Sequence, residues 1–124
     1  MPALQVTVTA LGAAPFNIGW LLVGQKPDGS VYAPAGVTVQ GQNAKNFTNV
    51  QFARITHDPA STATNLYIGD SDCGAAHHGD TIALKDYRQY WPTMGNTVHL
   101  AEKYFTFDVV GATSGIMTLD YEVY

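Results

Sequence analysis

The side chains with the most chemical capacity cluster in residues 70–80, where Asp70, Asp72, Cys73, His77, His78 and Asp80 supply carboxylate, thiol and imidazole groups. These are the ligand types of transition metals. Their spacing argues against a metal site. A structural zinc centre takes four ligands in paired spacings, and a single cysteine beside two adjacent histidines fits no such frame. On an extended backbone His77 and His78 point to opposite faces and do not share one ion. The run Asp70-Ser71-Asp72 lacks the alternating oxygen ligands and the closing glutamate of a calcium loop, and a polar turn after Gly69 accounts for it. A metal-binding jelly roll would need two histidines one residue apart with a glutamate following, which His57, His77, His78 and His99 do not offer. No metal and no cofactor is expected.

Covalent catalysis would need Ser71 or Cys73 beside His77 or His99 and a carboxylate, and the glycine-flanked elbow that presents a nucleophile is missing. The glycines fall at turns, and none precedes the Lys-Ser/Thr pair of a phosphate-binding loop. The expectation is a protein without enzymatic activity and without catalytic residues.

A second constellation is aromatic: Tyr87, Tyr90 and Trp91, with Arg88 among them. Such a group can cap an open end of a core, contact another protein, or form a platform for sugar rings. These four residues are the candidate protein-contact surface. Trp20, inside an apolar run, is expected in the core.

The elements that position these groups read as strands. Leu4, Val6 and Val8 alternate with Gln5, Thr7 and Thr9, and Met117, Leu119, Tyr121 and Val123 alternate with Thr118, Asp120 and Glu122. Residues 18–24 form a short apolar run of the kind found in a strand buried on both faces. Lys26-Pro27-Asp28-Gly29 is a turn in which proline presets φ and Asp and Gly tolerate the left-handed region. Residues 30–33, 37–40, 47–56, 65–69, 81–84, 97–100 and 104–110 add further strands, with a slip of phase that predicts a bulge near Ala53 or Arg54. Residues 85–95 are expected to hold a single helical turn, and 104–123 a hairpin closed by 111–115. About eight short strands with turns at intervals of about ten residues predict one all-β domain over residues 1–124, an antiparallel β-sandwich of jelly-roll type.

Composition narrows the function. Only 13% of residues are charged and the net charge is −4, against about 25% charged in an average soluble domain. A surface of Thr, Asn, Gln, Gly and Ala suits a protein partly covered by other protein, so a homo-oligomer, dimer or trimer, is expected. The six basic residues are scattered, leaving no footprint for nucleic acid. The apolar run 18–23 is far shorter than the roughly 20 residues of a membrane helix, and no basic-then-apolar segment follows Met1-Pro2. Neither a nucleic acid nor a membrane partner is expected. Cys73 is the only cysteine, so the fold rests on packing rather than on an internal disulfide.

The stretch Asn65-Leu66-Tyr67-Ile68-Gly69-Asp70-Ser71-Asp72 resembles a pattern common in small virion proteins of tailed bacteriophages, where a strand ending in an aromatic residue, Ile or Val, Gly, Asp and Ser leads into a variable polar loop. In those proteins a short strand follows, then an aromatic strand and a terminal strand closing on acidic and aromatic residues. Residues 81–84, 104–110 and 119–124 take those places here, so the resemblance covers residues 47–124. It implies a capsid decoration or cement subunit, or a head-tail accessory protein, made in the host cytoplasm and located in the virion. Its partner would be the major capsid protein or another virion protein. The alternatives are a carbohydrate-binding sandwich module and a tail or receptor-binding accessory protein.

Overall fold

The computed structural model describes residues 3–11, 15–42, 50–74, 79–92, 98–108 and 112–123. Among these, nine strands form two antiparallel sheets packed as a β-sandwich, with one short helix. The five-stranded sheet runs β3 (Val37–Gln40), β1 (Ala3–Val8), β9 (Gly115–Val123), β4 (Val50–His57), β7 (Tyr87–Tyr90). The four-stranded sheet runs β2 (Phe16–Asn17), β8 (Tyr104–Phe107), β5 (Asn65–Gly69), β6 (Asp80–Ala83). With β3 set aside, the remaining eight strands counted in chain order pair as 1-8-3-6 and 2-7-4-5, the order of a jelly roll. β3 is an added strand on the edge of β1.

The alternation in the first and last strands does what two-residue periodicity demands. Leu4 and Val6 pair with Leu119 and Met117 across the β1–β9 ladder, and all four are fully buried. Facing them from the other sheet are Leu66, Ile68, Ile82, Phe105 and Phe107. Burying a side chain of this size is worth about 1.5–3 kcal/mol each, so this inner layer is what holds the two sheets together.

The structure departs from the periodicity at residues 18–24, where a helix, α1 (Ile18–Val23), replaces the expected strand. Ile18, Leu21 and Leu22 are its buried residues beside Gly19, which is the i, i+3, i+4 face of a helix hidden inside a continuous apolar run. Asn17 starts it: the carboxamide oxygen accepts the Trp20 N–H at 3.0 Å, and its Nδ2 donates to the Ala101 carbonyl at 2.7 Å. Gly24 ends it in the left-handed region, φ 82°, and donates its N–H to the Trp20 carbonyl, a conformation that only glycine enters without steric cost. Trp20 is not core. It lies half-buried on the outer side of α1, edge-on to Tyr32 and Tyr104 at 5.3 and 6.1 Å.

Five further expectations are corrected. The described part of residues 85–95, residues 85–92, holds strand β7 and no helical turn, while a 3-10 turn occupies Leu100–Glu102, where the expected strand 97–100 ends. Residue 97 lies outside the described residues. Residues 30–33 make only an isolated bridge, Gln25 to Val31. The bulge in β4 falls between Val50 and Phe52 rather than at 53 or 54. Finally, β8 and β9 are no hairpin, because they lie in different sheets. The chain crosses the sandwich between them, and Gly115 passes so close to Phe107 that a Cβ there would sit 2.4 Å from its ring.

Candidate functional site

β7 ends the five-stranded sheet and pairs with β4, setting Tyr90 opposite Ala53, Gln89 opposite Arg54, Arg88 opposite Ile55 and Tyr87 opposite Thr56. Residues directly opposite in a ladder share a face. Ala53 and Ile55 belong to the core, so Arg88 and Tyr90 turn to the rim of the gap between the sheets, while Tyr87 and Gln89 turn outward. The structure therefore divides the four residues singled out in the sequence.

The outward group gathers residues that are distant in sequence. Trp91 is 68% exposed and Tyr87 49% exposed. The Trp91 ring leans on Phe52, with centroids 4.5 Å apart and planes 47° apart. Phe52 is buried beneath it yet does not belong to the core cluster. The Arg54 guanidinium stands 5.8 Å over the Tyr87 ring and pairs with Asp120 of β9 at 3.3 Å. Phe52 and Arg54 are the residues that sequence reasoning missed. Their signal was the odd separation of Phe52 from Ile55: the ladder is regular from 52 to 57, so alternation alone puts Phe52 and Arg54 on the face opposite Ile55.

The inward group is a latch between the sheets. The Tyr90 hydroxyl donates to Asp80 at 2.7 Å, the Lys103 ammonium lies 4.2 Å over the Tyr90 ring, and Arg88 donates to the Thr81 carbonyl at 3.3 Å. Burial, reinforced by the hydrogen bond to Asp80, raises the Tyr90 phenol far above its ordinary value. Burial also depresses the Lys103 ammonium, opposed by the charges of Asp80 and Glu102. The latch ties β7 to β6 and to the start of β8.

The metal-ligand types of residues 70–80 do not converge among the described residues. Asp70 accepts the Asp72 N–H at 2.9 Å in an Asx turn, and Asp80 faces Tyr90. His77 and His78 lie outside the described residues. Cys73 is buried, and its thiol is pushed up to about 11, first by burial and then by the Asp70 charge. A thiol so held stays protonated and is a poor nucleophile at neutral pH. Ser71 and His99 are both exposed. An open groove of about 550 Å³ passes Pro15, Phe16, Val31, Tyr32 and Pro34 with Lys26 beside them, and among the described residues no serine, cysteine, histidine or carboxylate lines it.

One serine and one histidine do have the contact of a nucleophile and its base. His57 Nε2 lies 3.0 Å from Ser61 Oγ, and Nδ1 lies 3.1 Å from the Ile82 carbonyl. A carbonyl only accepts, so Nδ1 carries the proton and Nε2 accepts from the Ser61 hydroxyl. Ser61 Oγ also accepts the Ile116 N–H at 3.2 Å. Both residues are buried, so this pair pins β4 to the start of β9 and offers a substrate no open face. Desolvation lowers the His57 pKa from 6.5, with the Ile82 carbonyl and Asp58 opposing. Above about pH 6.5 the imidazole is neutral in both folded and unfolded chains and its contribution is flat. Below it the unfolded chain takes up the proton first, so stability falls by at most about 1.4 kcal/mol per pH unit until the folded pKa is reached. Urea midpoints at pH 7.5 and 5.0 should show this loss, and His57→Gln should flatten it. An equal pH dependence in both proteins would place the titrating group elsewhere.

Comparison with protein families, curated proteins and solved structures finds no match for this chain.

Proposed function

We propose that the chain is a non-enzymatic structural protein of a bacteriophage virion, a capsid decoration or cement subunit that attaches to the major capsid protein by the outer face of its five-stranded sheet. The observation that carries this reading is Trp91, a large ring held out at 68% exposure on a buried Phe52. An exposed aromatic on a rigid apolar base is the usual form of an interface anchor. Supporting it are the resemblance of residues 65–72 to small phage virion proteins, the 13% charge content, and a jelly-roll order, which viral capsid proteins and lectins share. Several such anchors on one oligomer, each modest, sum to stable attachment on a repeating shell.

The carbohydrate-binding alternative fits the face less well. The Arg54 guanidinium stands 5.8 Å over the Tyr87 ring, so one of the two exposed rings already has a cation on its face where a sugar would stack. The test is co-sedimentation of the purified protein with empty shells assembled from the major capsid protein of the phage that encodes it. Saturable binding at a fixed number of copies per shell is the expected result. Protein left in the supernatant, together with glycan-array binding lost on Trp91→Ala, would replace the shell by a sugar.

A further inference from the structure

The two edges of the five-stranded sheet differ in kind. At β7 the outward backbone groups of Tyr87 are taken by neighbouring side chains: Asp86 accepts the Tyr87 N–H at 2.8 Å, and Arg88 donates to the Tyr87 carbonyl at 3.1 Å. An edge that carries a charged side chain and has part of its outward backbone already occupied resists pairing with another strand. β3, at the other edge, has the sequence Val-Thr-Val-Gln, with no charge and no proline.

The ladder fixes which backbone groups of β3 point away from the sheet. Val8 stands opposite Val37, and the Thr9 N–H donates to the Gly36 carbonyl at 2.8 Å. In an antiparallel pair, hydrogen-bonded and non-bonded positions alternate. Gly36, Thr38 and Gln40 therefore bond to β1, while Val37 and Val39 direct their N–H and C=O groups outward. The Val37 N–H is taken by the Pro34 carbonyl at 3.3 Å. The Val37 carbonyl and both groups of Val39 have no backbone partner among the described residues.

We infer that β3 is the seam of a two-fold dimer, in which two copies of this chain pair their β3 strands antiparallel and join their sheets into one of ten strands. The argument for a second copy as occupant is self-complementarity. With Val39 opposite its own copy, each Val39 N–H donates to the other's carbonyl. Thr38 then stands opposite Gln40 twice on the outer face, and each of these side chains can both donate and accept. On the inner side the half-exposed Val39 meets its own copy, and Val37, opposite Gly41 of the second copy, lies diagonal to that pair. No charge opposes itself across the axis, although the chain as a whole carries −4. An isologous contact needs such a patch. The inference deepens the assembly reading above by naming the surface through which copies meet.

The test is sedimentation equilibrium at tens of micromolar. Wild type is expected as a dimer. Val39→Pro removes an N–H that the β1 ladder does not use, and should give a folded monomer with its dissociation constant raised at least tenfold. The double variant Thr38→Lys, Gln40→Lys sets four like charges across the seam and should do the same, with circular dichroism unchanged. A monomeric or trimeric wild type overturns the seam, as does a dimer that both variants leave intact. Shell co-sedimentation separates the two ideas: a monomer that still binds shells sinks only the seam, and a dimer that binds none sinks only the virion function.

Discussion

Gly19→Ala should destabilise the protein by about 2–3 kcal/mol, although alanine is the better helix former by about 1 kcal/mol. A Cβ on residue 19 would lie 2.5 Å from the Ala101 nitrogen, 2.7 Å from its Cα and 2.7 Å from the Leu100 carbonyl carbon. These are backbone atoms of the 3-10 turn, so no side-chain rotation relieves the overlap and the helix must lift. Lifting it also strains the Asn17 bridge to Ala101 and the hydrogen bond from the Ile18 N–H to Lys103. Of the two opposing effects, the clash is the larger. Denaturant unfolding of the two proteins measures the difference directly. A gain of about 1 kcal/mol would mean that α1 does not pack on residues 100–101, and that the capped end of the sandwich is built some other way.

The same residues explain where sequence reading stops. In β1 and β9 each side chain has one solvent face and one core face, so the period is visible and the inward set Leu4, Val6, Met117 and Leu119 is the buried one. Residues 18–23 close the end of the sandwich and are apolar on nearly every side, so strand and helix predict the same composition. The deciding signals were local: an Asn immediately before the run and a Gly immediately after it, a cap at each end. The turn at Lys26-Pro27-Asp28-Gly29 was legible because its chemistry is local too, and Gly29 donates to the Lys26 carbonyl at 3.0 Å. The crossing between β8 and β9 was not, because it depends on which sheet each strand joins, and short separation in sequence argues for a hairpin.

The site was half legible for a related reason. Tyr87, Arg88, Tyr90 and Trp91 stand out by type, but alternation along β7 sends Tyr87 and Tyr90 to opposite sides. Their partners come from β4, β6 and the start of β8, at separations that no local pattern encodes. Phe52 under Trp91 and Asp80 against Tyr90 are tertiary facts. The acidic and histidine-bearing loop drew chemical interest by composition alone, yet Asp80 serves the latch and Cys73 is a buried thiol.

Trp91→Ala should weaken attachment to shells by about 30- to 1,000-fold, the 2–4 kcal/mol that an interface anchor commonly carries. Its cost to folding should be near 1 kcal/mol, since what the fold loses is one aromatic pair with Phe52. This separation of effects distinguishes an anchor from a core residue. Trp91→Phe keeps a ring on Phe52 and should recover most of the binding. Val31→Ala, at an apolar side chain 77% exposed on the loop after α1, should change neither quantity, because Val31 is not part of the Trp91, Phe52 and Tyr87 group on the proposed contact face. Tyr87→Ala should fall between them. It removes an exposed ring and frees Arg54 from one neighbour while leaving the Arg54–Asp120 pair in place. Binding by Trp91→Ala within threefold of wild type would move the contact off this face altogether, and an equal loss of stability and binding would return Trp91 to the role of a cap on Phe52.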